Sequence, residues 1–159
     1  MPICYIIAAG EHFSLLPQLD AGNFLIAADG GFAYAQKQGI IPNLVVGDFD
    51  SLSEQPSGAV TVVLPQEKDD TDMVAALREG WNRGYRIFHI YGGTGGRLDP
   101  TLANIQCVAG LGHRGRPGYL FDRDTVITAI KASRIAFSAG SKGTVTGFCP
   151  SGTAAGVVA

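Results

Sequence analysis

The sequence predicts an α/β fold: a parallel sheet with helices on both faces, followed by an incomplete C-terminal antiparallel β domain. Three observations carry this expectation. Apolar runs of strand length recur from Ile3 onward and alternate with stretches of helical spacing. Several of those runs are apolar almost throughout, the pattern of strands covered on both faces. After Asp122 the helical spacing stops, and short strand-like runs follow one another between glycine and serine turns.

Ile3 to Ala8 is a first strand, closed by Ala9-Gly10, and a weakly helical stretch runs from Phe13 to Leu19. Phe24 to Ala28 is a second strand ending at Asp29-Gly30-Gly31. Phe32 to Gln38 reads as a helix stopped by Gly39, with Pro42 just beyond. Leu44 to Val46 and Val60 to Leu64 are the third and fourth strands. The clearest helix spans Asp70 to Arg83, because Met73, Ala76, Leu77 and Gly80 fall on one face of a 3.6-residue period. Arg86 to Tyr91 is a fifth strand, ended by Gly92-Gly93-Thr94-Gly95-Gly96. A helix with Leu102, Ile105 and Ala109 facing inward comes next, and Tyr119 to Phe121 is a sixth strand.

Strands joined in this way by helices pair in parallel through right-handed crossovers, giving a Rossmann-like three-layer arrangement over residues 1–122. Ligands of such sheets bind outside the carboxyl ends of the strands. Residues 29–31, 47–51 and 92–96 are therefore expected on one rim. Residues 123–159 read as the beginning of a second domain, with strand-like runs at Thr125 to Ile130, Arg134 to Ser138 and Thr144 to Phe148. These are too few to close a sandwich or barrel before Ala159.

Composition narrows the partners. The net charge is −2 and the basic residues are scattered, so no nucleic-acid or membrane-surface footprint is present. Cys4, Cys107 and Cys149 form no CxxC pair, which fits reduced thiols and argues against a zinc site. No signal-like region and no apolar run near about 18 residues is found, so a cytoplasmic protein is expected. His12, His89 and His113 have no triad or metal-ligand spacing, and His89, inside a strand, is read as structural.

The rim residues carry the chemistry. Asp48 and Asp50 stand two apart after Gly47; in extended backbone both side chains point to one side and can converge on one cation. Oxygen ligands of this kind suit Mg²⁺, while the alternative is an Asx turn and a helix cap. Asp29 is either a plain helix cap or a further rim carboxylate, with Gly30 and Gly31 letting phosphate or metal come close. Lys68, Asp69, Asp70, Thr71 and Asp72 crowd one helix start with more acid than the helix dipole requires, and the carboxylates repel unless a cation, a proton or Lys68 compensates them. Thr71 can cap that helix or donate to a phosphate oxygen. The loop Gly92 to Gly96 offers free N–H groups before a helix, and Arg97 adds a planar fork, a combination suited to anions. Asp99-Pro100 fits a cap followed by a first-position proline, and Asn104 lies where it can hold the loop or reach a ligand.

Four motifs in this order and spacing, Ala28-Asp29-Gly30-Gly31, Gly47-Asp48-Phe49-Asp50-Ser51, Lys68-Asp69-Asp70-Thr71-Asp72 and Gly95-Gly96-Arg97-Leu98-Asp99, resemble the thiamine pyrophosphokinase (thiamine diphosphokinase) family. The resemblance implies an ATP-binding α/β domain joined to a thiamine-binding β-sandwich. It also implies a homodimer with active sites between subunits, and Mg²⁺-dependent pyrophosphoryl transfer from ATP to thiamine with release of AMP. It places Asp48, Asp50 and Asp72 on Mg²⁺, with Asp29 beside them as a fourth catalytic carboxylate. Gly30, Gly31, Lys68, Asp69, Thr71, Gly93, Thr94, Gly95 and Gly96 would meet ATP and its phosphates; Arg97, Asp99 and Asn104 would face the acceptor substrate. Pro100 stands where many members carry histidine. Two rival readings remain: a phosphohydrolase of the haloacid-dehalogenase type, for which Asp48-Phe49-Asp50-Ser51 superficially resembles the nucleophile loop, and a Mg-nucleotide-binding module without turnover.

Overall fold

The computed structural model describes residues 1–13, 16, 19–47, 60–62 and 70–147. Among these residues ten elements follow one another: β1 (Ile3–Ile7), β2 (Phe24–Ala28), α1 (Gly31–Lys37), β3 (Leu44–Val46), β4 (Val60–Val62), α2 (Asp72–Asn82), β5 (Ile87–Tyr91), α3 (Leu98–His113), β6 (Gly118–Phe121) and β7 (Val126–Thr128). One sheet contains all seven strands in the order β4-β3-β2-β1-β5-β6-β7. The first six pair in parallel, and β7 runs antiparallel to β6. From β1 the chain steps outward through β2, β3 and β4, then crosses to the other side of β1 to lay down β5 and β6. The direction of winding thus reverses between β1 and β5, the place where open α/β sheets leave a crevice at their carboxyl edge.

Alternation along the strands sorts the core into two layers. On one face Cys4, Ile6, Ile26, Leu44, Phe88, Ile90 and Leu120 pack with Met73, Ala76 and Leu77 of α2 and with Val108 and Leu111 of α3. On the other, Tyr5, Ile7, Leu25 and Tyr91 share a cluster with Ala35 of α1, while Phe32 of the same helix meets Ala27 and Val45. Helices therefore cover both faces. The inward set read from the period of α2 is the buried set, with Ala75 added.

Helix α3 departs from its sequence reading in two ways. Its N-cap is Arg97, so Asp99 and Pro100 occupy the second and third helical positions. Proline is tolerated there because the N–H groups of the first turn have no intrahelical acceptor. Its inward line is Asn104, Val108 and Leu111, while Leu102 is 51% exposed. Of the three residues expected inward, Ile105 does pack against this core and Ala109 is half-buried, but Leu102 is not buried. The most buried line lies to one side of the expected one because one of its positions carries a polar side chain. Asn104 sits there with its Nδ2 donating to the Gly93 carbonyl at 2.8 Å.

The run 125–130 yields β7, which joins the main sheet beside β6 instead of opening a sheet of its own. Residues 130–147 are exposed and form no strand, including the described parts of the runs 134–138 and 144–148. A strand needs a neighbour to accept its backbone hydrogen bonds, and this stretch has none among the described residues. Between Phe13 and Leu19 the described residues form no helix. No helix among the described residues is long and apolar enough to cross a membrane.

Candidate functional site

A cleft of about 220 Å³ opens where β1, β2 and β5 end and α2 and α3 begin. Its walls come from Ala8 to Gly10, Ala28-Asp29, Thr71 to Met73, Gly92 to Gly95, and the first turns of α3 at Pro100, Thr101, Ala103 and Asn104. This is the carboxyl edge at the reversal of winding, with two helix N-termini aimed into it, a setting that favours negative charge.

Asp29 ends β2 with a positive φ of 49°, a conformation that aspartate tolerates better than most residues. Its N–H donates to the Val46 carbonyl at 2.9 Å, and its own carbonyl accepts from Phe32 N–H at 3.2 Å. Gly30 is the N-cap of α1 and no side chain caps that helix, so the plain-cap alternative for Asp29 does not hold. The Asp29 side chain stays exposed at the cleft wall. Gly31 has no room for a side chain: a Cβ there would overlap the carbonyl oxygen of Ile7.

Thr71 caps α2, its Oγ1 accepting from Val74 N–H at 3.3 Å. A hydroxyl that accepts still has its proton to give, so the cap leaves Thr71 able to donate into the cleft. Asp72 opens the helix, and its Oδ2 lies 3.8 Å from where a Cβ on Gly47 would stand; that point is also 3.5 Å from the backbone of Asp29. Asp29, Gly47 and Asp72 are thus mutual neighbours, although each comes from a different element.

The glycine loop after β5 is held from behind. The carbonyls of Gly92, Gly93 and Thr94 accept from Gly10 N–H (2.7 Å), Asn104 Nδ2 (2.8 Å) and Glu11 N–H (2.9 Å). Gly92, with φ of +65°, has the His12 imidazole packed where a side chain would go, and that ring stacks on Tyr34 at 3.6 Å. Burial pushes the His12 pKa below its ordinary value, favouring the neutral ring. Among the described residues no acceptor takes the N–H groups of Gly93, Thr94, Gly95 or Gly96. Carbonyls turned to protein and N–H groups left over are what an anion-holding loop needs.

The structure therefore brings together Asp29, Thr71, Asp72, Gly93, Thr94, Gly95 and Asn104. Gly30, Gly31 and Gly96 do not line the cleft. Arg97 and Asp99 stand outside it, joined in a bidentate pair at 3.0 and 2.7 Å with both side chains largely exposed. Asp48, Asp50, Lys68 and Asp69 lie outside the described residues. Among those described, no three His, Cys, Asp or Glu side chains gather at metal-binding distance. The sequence reading passed over Gly10 and Glu11, which tie down the loop, and Asp122, which accepts from Thr94 Oγ1 at 3.0 Å. All follow strands that end on this rim, so the strand-end rule already held the signal.

Fold and cleft together define an α/β protein with a ligand crevice at the carboxyl edge of a mostly parallel sheet. The sequence pattern described as "Thiamin pyrophosphokinase, catalytic domain" matches residues 17–117, and the chain belongs to that family. It is similar to the thiamine pyrophosphokinase of Bacillus subtilis (strain 168), 37% identical over 110 residues covering 63% of this chain and 51% of the relative. Among solved structures, thiamine pyrophosphokinase from Bacillus subtilis superposes with a TM-score of 0.65 at 31% identity, covering 76% of this chain and 61% of that one. The thiamin pyrophosphokinase from Geobacillus thermodenitrificans gives 0.64 at 31% identity, covering 78% and 61%. The chain thus spans about half the length of the curated relative it matches.

Proposed function

We propose that this chain carries the nucleotide side of a Mg²⁺-dependent thiamine diphosphokinase. The reaction breaks the bond between the α- and β-phosphates of ATP and forms one from the hydroxyethyl oxygen of thiamine to the β-phosphorus, releasing AMP. One observation supports this reading above the others: Asp29 and Asp72 meet at Gly47, directly before Asp48-Phe49-Asp50, in a cleft also walled by the glycine loop. Phosphoryl-type transfer asks for positioning and charge neutralisation more than covalent chemistry, and the cleft is equipped for both.

In this reading Asp48, Asp50 and Asp72 hold Mg²⁺, whose charge, when it is bound, offsets that of the phosphates. Carboxylate oxygens are its preferred protein ligands, and the two described rim carboxylates fit that donor type. Asp29 takes the alcohol proton; the nearness of its backbone to Gly47, and of Gly47 to Asp72, supports that role. Thr71, Lys68 and the N–H groups of Gly93, Thr94 and Gly95 receive phosphate oxygens; Gly30, Gly31 and Gly96 shape the rim beside them. Arg97, Asp99 and Asn104 face the acceptor side; for Arg97 this requires its fork to leave Asp99. Residues 1–122 form the ATP-binding domain and 123–159 belong to a thiamine-binding β domain, with β7 as the strand that ties the two. The enzyme is cytoplasmic and works as a homodimer. The matches lend nothing to the phosphohydrolase reading or to a module without turnover.

The deciding experiment incubates the protein with ATP, Mg²⁺ and thiamine and follows AMP and thiamine diphosphate. Thiamine-dependent AMP formation is expected, and its absence with the full chain overturns the activity proposed here.

A further inference from the structure

We propose that Asp122 is a positioning residue for the glycine loop, acting through Thr94, an inference that rests on the phosphate-binding reading of the cleft. Asp122 lies beyond the stretch matched to the family, residues 17–117. It directly follows β6, and its N–H donates to the Thr125 carbonyl at 2.9 Å, closing the turn into β7. Its side chain is thereby set on a hydrogen-bonded turn at the sheet's carboxyl edge. From there Oδ1 accepts from Thr94 Oγ1 at 3.0 Å, and Thr94 is 4% exposed.

A carboxylate only accepts, so the single hydroxyl proton of Thr94 points at Asp122. That proton is not available to a phosphate oxygen. Thr94 serves the cleft through its backbone, and its side chain is a tether. The tether fixes the middle of a loop whose other ties, from Gly10, Glu11 and Asn104, all grip carbonyls. Glycine-rich backbone has more conformations to lose than any other. Fixing it beforehand lowers the cost of ordering N–H groups around a bound polyphosphate.

The test uses the full chain and the variants Asp122→Ala, Thr94→Val, Thr94→Ser and the Asp122→Ala/Thr94→Val pair. Two readouts are taken: amide hydrogen exchange over 92–97 without ligand, and MgATP affinity by calorimetry below the melting temperature of each variant. Removing a charge-assisted hydrogen bond that orients the loop should weaken MgATP binding about tenfold in either single variant. The double variant should stay near the same tenfold, not reach the product of two losses, because both changes cut one tether. Loop amides should exchange faster in all three while those of β1 and β2 stay protected, and Thr94→Ser should restore both readouts. Unchanged loop exchange in Asp122→Ala, unchanged affinity despite faster exchange, or additive losses would each overturn the proposal. If the wild-type chain does not bind MgATP, the phosphate reading fails and the positioning role falls with it; the exchange data then decide only whether the tether orders the loop.

Discussion

The Asp72 carboxylate lies beside Gly47, with its Oδ2 3.8 Å from the place a Cβ on that glycine would occupy. Two segments remote in sequence, the start of α2 and the end of β3, thereby meet at one point, and the Asp29 backbone is the third party to it. Asp72→Asn keeps the shape and removes the charge. Asparagine tolerates positive φ as aspartate does, so Asp29→Asn leaves the backbone of that turn undisturbed. Each substitution should lower thiamine-dependent AMP formation on the order of 100-fold with little change in melting temperature. Initial rates across a Mg²⁺ titration check this; undiminished rates in both variants would remove these carboxylates from the site.

Asn104 is the buried polar residue that turns α3 toward the sheet. Asn104→Leu fits an apolar face but leaves the Gly93 carbonyl without its donor. Stability should drop by about 1–3 kcal/mol, the usual result of orphaning one buried acceptor. Denaturant unfolding measures it, and MgATP affinity should fall in parallel because the same bond holds the glycine loop. A stability loss with affinity intact would separate Asn104 from the loop.

How much of this was open to reading depends on the kind of signal. The parallel strands and α2 were legible because burial on both faces makes Ile3 to Ile7 apolar throughout and places Met73, Ala76, Leu77 and Gly80 on one helical line. The rim followed from a topological rule, which put Asp29 and the glycine loop together before any distance was known. The orientation of α3 was legible in part: Ile105 packs inward as its spacing predicts, but Asn104 is polar and finds its acceptor in a carbonyl eleven positions earlier in the chain, which no periodicity shows. The Arg97–Asp99 pair was missed for a related reason. Two residues read as separate functional groups were each other's partner. Asp122 went unnoticed because a carboxylate at a turn resembles an ordinary turn residue until its bond to Thr94 is seen.

Gly31 marks where the start of α1, just after β2, packs against the end of β1 at contact distance. Gly31→Ala would drive a methyl into the Ile7 carbonyl, which sits in a central strand and cannot withdraw. A loss of about 1–3 kcal/mol is expected, as for other overpacked positions. Ala33→Gly, at an exposed site of the same helix, should cost roughly 0.5–1 kcal/mol through propensity alone. Thermal melting of the two variants side by side tests the contrast; equal losses would mean the close approach does not constrain the fold.

Acid should weaken this fold before its carboxylates protonate in bulk. His89 sits in β5 with the rings of Tyr5, Tyr119 and Phe121 about it, at centroid distances of 5.4, 5.3 and 5.1 Å. Burial pushes its pKa below the ordinary histidine value, as it does for His12 against Tyr34. A depressed histidine pKa means that the unfolded chain takes up its proton first on acidification. Between the unfolded value near 6.5 and the lower folded values, stability therefore rises with pH and is lost as pH falls. Melting temperatures at pH 7.5, 6.5 and 5.5 should decline through that window. His89→Phe keeps a ring among the aromatics and removes the titration, so its melting temperature should fall less from 7.5 to 5.5 than that of the wild type. The His12→Phe variant should flatten the slope further when combined with it. A wild-type slope that survives both substitutions would place the acid sensitivity outside these two rings.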